Sequence, residues 1–352
     1  MKKIRVGVIG VGSIGKVHID ALRSLPNVEV VSICSRSNMA ERAKALGIHS
    51  YYTDYKEMID KENLGCVHIC TTNDTHFEMA LYAINKGLHV VLEKPMTKTV
   101  EEAVILEDLV KKSKLVHEVH FHNRFYPVHH YMKENINQLG DIFSIYGVYL
   151  QDWMMPQNTY NWRASSEQSG LTRVIHDIGT HFFNLVEFVS GHKIVEVMAE
   201  FKTIYDERNG IKIDTEDLGM VLFKTDKGAL GNAIICQSVP GKKNEMKTVY
   251  VGKHATFEWD GKSVNETKKL HYDKDEELIK IDEIETLKDS QKFKVYNFYD
   301  SFVEAFRGVY YKIENPLFDG HFANFNDGLH SMKIVDAIYQ SNMKKAWVKV
   351  ND

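Results

Sequence analysis

A short apolar strand that runs directly into a glycine-rich turn constrains the fold of this chain more than any other stretch. The strand is Ile4–Ile9, and the turn contains Gly10, Gly12, Ser13, Ile14 and Gly15. Gly10 permits a tight turn, Gly12 lets the backbone approach a pyrophosphate, and Gly15 lets a helix from about Lys16 pack closely on the strand. The phosphates would lie at the positive N-terminus of that helix. The pattern predicts a dinucleotide-binding site.

The first third of the chain alternates strands with helices, whereas the rest does not. Apolar runs recur at Val28–Cys34, 66–70, 90–92 and 115–121, with helical patterns between them. Such a series folds as a doubly wound parallel sheet. A length of 352 residues allows two domains. We predict an α/β protein with a Rossmann domain over residues 1–122. Residues 123–352 should form an α/β domain with a large open, mainly antiparallel sheet, because strand-type alternation dominates there.

The end of the second predicted strand bears on the choice of dinucleotide. Proteins that bind NAD usually carry Asp or Glu about twenty residues beyond the glycines, where it accepts hydrogen bonds from the ribose 2′-hydroxyl. Ser35 and Arg36 occupy that place here. Because no carboxylate repels a phosphate and an arginine is present to bind one, we predict that NADP is favoured and that NAD is possible. Alternatively, Arg36 stacks on the adenine and either cofactor binds.

The turn after the strand at 66–70 supplies further polar groups. Thr71, Asn73 and His76 lie there, at the end of a parallel strand where ligands bind. We predict that they border the nicotinamide side of the cofactor. Alternatively, Asp74 or Thr75 in the same turn only caps the next helix.

An acid, a lysine and a proline follow the apolar run at 90–92. These residues are Glu93, Lys94 and Pro95. Pro95 fixes its own φ and disfavours the helical region for Lys94, so the lysine is held at a bend beyond a buried strand. We predict that Glu93 and Lys94 contact the cofactor and that Lys94 also contacts the substrate.

Aromatic and polar residues cluster early in the second half. Tyr160, Trp162 and Arg163 combine flat rings with hydrogen-bond donors. A polyhydroxylated ligand needs both, because its C–H surface packs on rings and its hydroxyls need polar partners. We predict that these residues bind substrate. Interdomain packing is the alternative role for any one of them.

Asp177 and His181 are four residues apart in a segment with a helical pattern. On a helix, residues at this spacing share one face. A histidine there can take a proton from a hydroxyl near neutral pH, and a neighbouring carboxylate can hold its ring. From the spacing alone, a structural surface pair is the alternative.

Charge and composition exclude several partners. A formal net charge of -4 without a basic run argues against nucleic acid. No apolar run reaches the roughly twenty residues that span a bilayer, so we expect a cytoplasmic protein without membrane association. The cysteines should be free thiols in a reducing compartment. Five histidines lie close together but lack a convincing set of further ligands, so no metal site is predicted: His117, His120, His122, His129 and His130.

Three motifs, at residues 10–15, 93–95 and 177–181, together resemble the glucose-fructose oxidoreductase, inositol dehydrogenase and MocA (Gfo/Idh/MocA) family. Arg124 near the domain junction and residues 325–328 before the last helix extend the likeness over the whole chain.

The resemblance implies an NAD(P)-dependent enzyme that oxidises or reduces a secondary alcohol of a sugar or cyclitol. It implies that Lys94, Asp177 and His181 are functional, and Arg124 is placed among the substrate contacts. The open sheet would form the interface of a homodimer or homotetramer. Many members have an acid where Ser35 stands and a proline where Asn73 stands.

Our mechanistic hypothesis assigns His181 as general base on a ring hydroxyl while hydride leaves for C4 of the nicotinamide. Lys94 would hold the reacting oxygen, and Asp177 would orient His181 or bind an adjacent hydroxyl. Two alternatives stay open. The chain could cleave a glycoside through transient sugar oxidation, or it could be a non-catalytic NAD(P)-binding sensor.

Overall fold

The computed structural model of the protein describes residues 3–284 and 293–351, which belong to two compact units. The first unit combines the chain up to Phe125 with Asn297–Leu329. The second combines Tyr126–Ile284, Lys294–Tyr296 and the residues from His330 onward. The division into domains at residue 122 stays a prediction, and it had assigned the segment Asn297–Leu329 to the second domain.

The described residues alternate between strands and helices as follows. The strands are β1 (Ile4–Ile9), β2 (Val28–Cys34), β3 (Ser50–Tyr52), β4 (Cys66–Ile69), β5 (His89–Glu93), β6 (His117–His120), β7 (Ile142–Leu150), β8 (Ile194–Lys202), β9 (Glu207–Arg208), β10 (Ile211–Lys212), β11 (Leu218–Thr225), β12 (Leu230–Cys236), β13 (Glu245–Gly252), β14 (Thr256–Asp260), β15 (Glu266–Leu270), β16 (Glu277–Lys280), β17 (Glu283–Ile284), β18 (Phe293–Lys294) and β19 (Val348–Lys349). The α-helices are α1 (Ser13–Arg23), α2 (Met39–Leu46), α3 (Tyr55–Lys61), α4 (Asn73–Asn85), α5 (Val100–Lys111), α6 (Pro127–Asn135), α7 (Ser166–Ser169), α8 (Thr180–Ser190), α9 (Phe298–Glu314) and α10 (Phe325–Lys344).

A parallel sheet of six strands forms the centre of the first unit. Its order is β3-β2-β1-β4-β5-β6, so the direction of winding reverses between β1 and β4. In sheets of this kind, ligands bind beyond the carboxyl ends of the strands at such a switch point. The glycine turn follows β1, and the Glu93-Lys94 turn follows β5, which places both at this edge.

Helix α9 completes the core of the first unit although it comes from the C-terminal part of the chain. Its Phe302, Phe306 and Tyr310 are buried in the same cluster as Val6 of β1 and Ile19 of α1. Residues four apart on a helix share one face. These three side chains therefore form one apolar stripe that covers the sheet.

A nine-stranded sheet forms the second unit, in the order β16-β15-β14-β13-β7-β12-β11-β8-β19. Strands β7 and β12 pair in parallel, and the other neighbours pair antiparallel. Buried and exposed residues alternate along β11, as expected where only one face is covered. Helix α8 is buried along its whole length. The predicted α/β class with a parallel and a mainly antiparallel sheet is confirmed.

Most predicted elements have the expected bounds, and the exceptions lie at turns. The capping box of α5 is present, with Thr99 accepting from the Glu102 backbone. Helix α1 begins at Ser13 rather than at Lys16, because the last residues of the glycine turn already form the first helical turn. Helix α4 begins at Asn73, so part of the predicted turn is helical. Among the described residues, no helix has the length and apolar character needed to cross a membrane.

Candidate active site

The glycine turn has the geometry that a dinucleotide requires. Gly10 has a φ of 91°, and a Cβ there would lie 2.6 Å from the carbonyl oxygen of Cys70. A Cβ on Gly15 would lie 1.9 Å from the carbonyl oxygen of Gly10. Around Gly12, by contrast, no described atom beyond the adjoining backbone lies within 4 Å of a built Cβ. Open space therefore adjoins the N-terminus of α1, where Ser13 and Ile14 form the first turn, as a bound pyrophosphate would require.

The end of β2 carries one more basic group than the sequence indicated. Arg36 is exposed and Ser35 is half-buried. The guanidinium of Arg42, on α2, lies 3.1 Å from the carbonyl oxygen of Val11 and 3.4 Å from the Ser35 hydroxyl. The guanidinium thus links the glycine turn to the residue at the predicted ribose position.

His76 ties together the turns that follow β4 and β5. Its Nδ1 lies 2.9 Å from the Pro95 carbonyl oxygen, and its Nε2 lies 3.3 Å from the Thr71 carbonyl oxygen. Burial lowers the pKa of His76, although both hydrogen bonds act in the opposite direction. The shorter of the two contacts favours a neutral His76 ring that donates from Nδ1 to the Pro95 carbonyl oxygen.

The turn after β4 differs in part from the prediction. Asn73 is buried as the first residue of α4, and the cap position is Thr72 rather than Asp74 or Thr75. Thr75 donates instead to the Thr71 hydroxyl, at 2.7 Å. The side chains of this turn therefore hold one another in place.

Glu93 and Lys94 form a compact turn at the end of β5. The Glu93 Oε2 atom accepts a hydrogen bond of 3.2 Å from the Lys94 backbone amide, and its Oε1 lies 3.1 Å from His18 Nε2. Glu93 is buried, Lys94 is half-buried, and the Lys94-Pro95 peptide bond is cis. The carboxylate thus fixes the backbone that carries the lysine.

Arg124 lies in a short 3₁₀-helix, His122–Phe125, at the end of the first unit's N-terminal segment. Its guanidinium is 3.3 Å from the Asp327 carboxylate, in the first turn of α10. Arg124 and Asp327 both belong to the segments that extend the family resemblance over the whole chain. They form an ion pair in the structure.

In the second unit, the structure brings Arg163 and Asp177 together. The Arg163 Nε atom is 3.3 Å from Asp177 Oδ1, and its guanidinium stacks 4.5 Å from the Trp162 ring centre. Tyr160 is exposed over 37% of its surface. The aromatic and charged groups predicted to bind a polyol are thus partly preassembled.

Asp177 and His181 lie on either side of a change in helix type. Asp177 is in a π-helical turn, Ile175–Gly179, and His181 is near the start of α8. The segment is helical as predicted, but its first part is a π-helical turn rather than an α-helix. Such turns are frequent at functional sites. His181 is buried, with the Tyr149 ring 6.5 Å away.

Two glutamines were missed by the sequence analysis as site residues. Gln237 donates a hydrogen bond of 2.7 Å to Asp177 Oδ2 and one of 3.2 Å to Gln151 Oε1. Gln151 follows β7 and Gln237 follows β12, and these two strands are parallel neighbours. A polar residue directly after each of two parallel strands was the available signal.

Comparison with known proteins gives a consistent family. The family model for the Gfo/Idh/MocA oxidoreductase NAD-binding Rossmann fold matches residues 4–121, and the model for its C-terminal alpha/beta domain matches residues 133–350. Levoglucosan dehydrogenase of Pseudarthrobacter phenanthrenivorans is 29% identical, with 69% of this chain and 70% of that protein covered. Myo-inositol 2-dehydrogenase of Thermotoga maritima is 26% identical, with 65% and 67% covered.

A solved structure of levoglucosan dehydrogenase in complex with NADH superimposes with a TM-score of 0.89 at 25% identity, covering both chains fully. The glycine turn, the two sheets and the matched family models agree over nearly the whole length of the chain. The chain therefore belongs to the Gfo/Idh/MocA family of NAD-binding oxidoreductases.

Proposed function

We propose that this protein transfers a hydride between a secondary alcohol of a sugar or cyclitol and a nicotinamide cofactor. The Glu93-Lys94 turn carries the proposal, because it places a lysine of fixed backbone at the carboxyl end of β5, in the same sheet as the glycine turn. Relatives named as levoglucosan and inositol dehydrogenases support the class of substrate.

In the proposed reaction, the bound nicotinamide supplies the hydride acceptor at its C4 atom. His181 takes the hydroxyl proton as the carbon-bound hydrogen leaves with its electron pair. Lys94 holds the oxygen while alkoxide character develops, a role that contributes several kcal/mol in a preorganised site. Asp177 accepts from the His181 ring or from an adjacent substrate hydroxyl. Arg124, Tyr160, Trp162 and Arg163 are assigned to the substrate.

NADP is the proposed preferred cofactor, with NAD as the possible alternative. The 2′-phosphate would meet Ser35, the exposed Arg36 and the nearby Arg42 guanidinium. One hydroxyl and two guanidinium donors favour a phosphate, whereas an acid at residue 35 would repel it. Thr71, Asn73, His76 and Glu93 are assigned to the nicotinamide side.

The oligomer is proposed to form through the exposed face of the second unit's sheet. Met220 and Leu222 of β11, Met198 of β8 and Leu230 of β12 are large apolar residues exposed by 37% to 60%. Met198 and Leu222 are direct neighbours in the strand register. A group of large exposed apolar side chains on one sheet face is typical of an interface between subunits.

A spectroscopic screen tests the function. Purified protein is incubated with NAD or NADP and a panel of levoglucosan, myo-inositol, scyllo-inositol, glucose and glucose 6-phosphate, and the reduced-nicotinamide absorbance is followed. We expect reduction with at least one polyol. In a parallel assay with an aryl glycoside, aglycone release without accumulation of reduced cofactor would instead identify a glycoside-cleaving enzyme. Tight cofactor binding without turnover of any polyol or glycoside would identify a sensor.

A further inference from the structure

A chain of buried polar side chains runs behind the Glu93-Lys94 turn within the first unit. The Tyr310 hydroxyl lies 2.8 Å from His68 Nε2, and His68 Nδ1 lies 2.8 Å from His18 Nδ1. His18 Nε2 lies 3.1 Å from Glu93 Oε1. The two histidines and the tyrosine are completely buried. Four elements, α9, β4, α1 and β5, therefore contribute one residue each.

The donor and acceptor properties of these four side chains determine which group donates in each hydrogen bond of the series. An ionised Glu93 can only accept, so His18 donates from Nε2. In a neutral His18 the other ring nitrogen only accepts, so His68 donates from Nδ1 and accepts at Nε2 from the tyrosine hydroxyl. Burial lowers the pKa of His18 and of His68, which favours neutral rings. With these tautomers, every ring nitrogen of the two histidines has a suitable partner.

We propose that Tyr310, His68 and His18 are positioning residues that hold the Glu93 carboxylate in one ionised orientation and thereby fix the Lys94 backbone beside the cofactor. The proposal rests on the proposed function in one respect only, that the cofactor binds beside this turn. The two carboxylate oxygens of Glu93 have separate donors, His18 and the Lys94 amide. Rotation of the carboxyl group therefore breaks one of the two hydrogen bonds.

Five titratable side chains lie near Glu93: His18, His120, Lys94, His76 and Cys70. Of these, His18, His120 and Lys94 favour its charged form. Burial alone raises the pKa of Glu93, but the hydrogen bond from His18 and the neighbouring His120 and Lys94 lower it to about 2. Loss of the His18 donor removes the largest of the opposing effects, so a variant without it should bind a proton at Glu93 at higher pH.

A metal ion would use the same atoms in an incompatible way. His18, Glu93 and His120 offer ligand atoms within 4.8 Å of one another. His120 Nδ1 lies 3.1 Å from Glu118 Oε1, and its Nε2 has no hydrogen-bond partner among the described residues. Ligands of one tetrahedral zinc lie about 3.3 Å apart, as bonds of about 2.0 Å require. In the directed chain, His18 Nε2 carries a proton and has no lone pair for a metal. A metal ion bound to these three residues is therefore incompatible with the directed series of hydrogen bonds.

Nitrogen-15 NMR of the histidine side chains in the full-length protein tests the direction. We expect His18 as the neutral Nε2–H tautomer and His68 as the neutral Nδ1–H tautomer, unchanged between about pH 6 and about pH 8. Tyr310→Phe should shift the His68 Nε2 resonance and leave the surface residue His49 unchanged. Opposite tautomers, an imidazolium at either position, or stoichiometric zinc in elemental analysis would overturn the proposal.

Cofactor binding tests the positioning role without any substrate. Reduced cofactor is titrated by fluorescence into wild type, His18→Leu, His18→Gln and the exposed control His49→Gln. The glutamine amide can still donate to Glu93, whereas leucine cannot. When the pH falls from about 8 to about 6, we expect the Kd of His18→Leu to rise about tenfold more than the Kd of wild type, because Glu93 gains a proton in the variant.

The remaining variants make the result decisive. His18→Gln should restore the wild-type pH dependence, and Glu93→Gln in the leucine background should abolish the pH dependence, because no carboxyl is left to titrate. Equal pH dependence in His18→Leu and wild type would overturn the positioning role. Because the readout is binding, that outcome would leave the proposed hydride transfer standing, whereas absence of turnover with normal binding would reject only the proposed function.

Discussion

Gln237 donates a 2.7 Å hydrogen bond to Asp177, so the residue after β12 fixes a carboxylate on the π-helical turn. Arg163 approaches the other carboxylate oxygen at 3.3 Å. Gln237 is completely buried, and its amide also donates to Gln151. Because both neighbouring groups are acceptors, the amide is oriented with its nitrogen toward them. Asp177 is thus held as a preorganised acceptor, which is the arrangement that an orienting or substrate-binding carboxylate requires.

Replacing Gln237 should therefore impair turnover more than folding. For Gln237→Leu we expect kcat/KM to fall about 10- to 100-fold, because Asp177 loses a charge-assisted hydrogen bond. Gln237→Glu should reduce it further, since a second carboxylate repels the first. Steady-state kinetics with the substrate found in the screen measures the effect, with the exposed Gln138→Leu as control. Activity within twofold of wild type in both Gln237 variants would contradict this role.

Lys94 and His181 should each be required for the chemical step. We expect Lys94→Ala and His181→Ala to lower kcat by about 100-fold or more, because general acid-base groups and oxyanion donors contribute at least this much. Lys112→Ala, an exposed lysine at the end of α5, is the matched control. Retention of turnover within about tenfold of wild type would show that the assignment of these residues is wrong.

The cofactor preference should depend on Ser35 and Arg42. In wild type we expect a lower Kd for NADPH than for NADH. Ser35→Asp should weaken NADPH binding by about tenfold or more and spare NADH, because its carboxylate meets the 2′-phosphate. Arg42→Ala should weaken NADPH selectively. Fluorescence titration with both cofactors gives the ratio, and a wild-type preference for NADH would refute the interpretation of this strand end.

The exposed sheet face should hold the subunits together. Leu222→Glu places a charge in the centre of the apolar face and should shift the mass measured by light scattering toward the monomer. Leu317→Glu, at a residue that is fully exposed in the first unit, should leave the mass unchanged. A monomeric wild type, or an unchanged oligomer in Leu222→Glu, would exclude this face as the interface.

Glu216 should make stability depend on pH. Burial raises the pKa of Glu216 to about 7, although hydrogen bonds from the Arg173 and Ile175 backbone oppose the shift. At pH values between the ordinary pKa of a glutamate and about 7, the folded protein binds more protons at Glu216 than the unfolded chain does. The contribution of Glu216 to the free energy of unfolding therefore decreases as pH rises.

Urea unfolding of wild type and Glu216→Gln at several values between about pH 5 and about pH 8 isolates that contribution. The variant cannot titrate, so its stability relative to wild type should increase with pH, by at most about 3 kcal/mol. The difference between the two proteins matters because buried histidines such as His68, with a lowered pKa, shift stability in the opposite sense. A difference that does not change with pH would show that Glu216 is ionised throughout.

Local signals in the sequence accounted for much of the first unit. The strand at Ile4–Ile9 was found as predicted, and it depends on residues within a few positions, as do the capping box at Thr99 and the glycine after α2. The four cysteines are free, as expected.

Long-range relationships were beyond such signals. The hydrogen bond from Gln237 to Asp177 joins residues 60 positions apart, and the bond from Tyr310 to His68 joins residues 242 positions apart. The π-helical turn was also missed, because its pattern of apolar residues does not differ from that of an α-helix. The carboxylate of Glu216, which accepts from the Ile175 amide at 3.1 Å, supports that turn from a distant segment.

The position of α9 has a consequence for how the protein is made. The core around Val6 and Ile19 includes Phe302 and Phe306, which the ribosome adds about three hundred residues later. At about 5 to 20 residues per second, the nascent N-terminal sheet waits on the order of tens of seconds for the helix that covers it. During that interval its apolar surface is exposed to solvent and to chaperones. A fragment ending at residue 122 lacks this part of the core, so it is expected to aggregate when expressed alone.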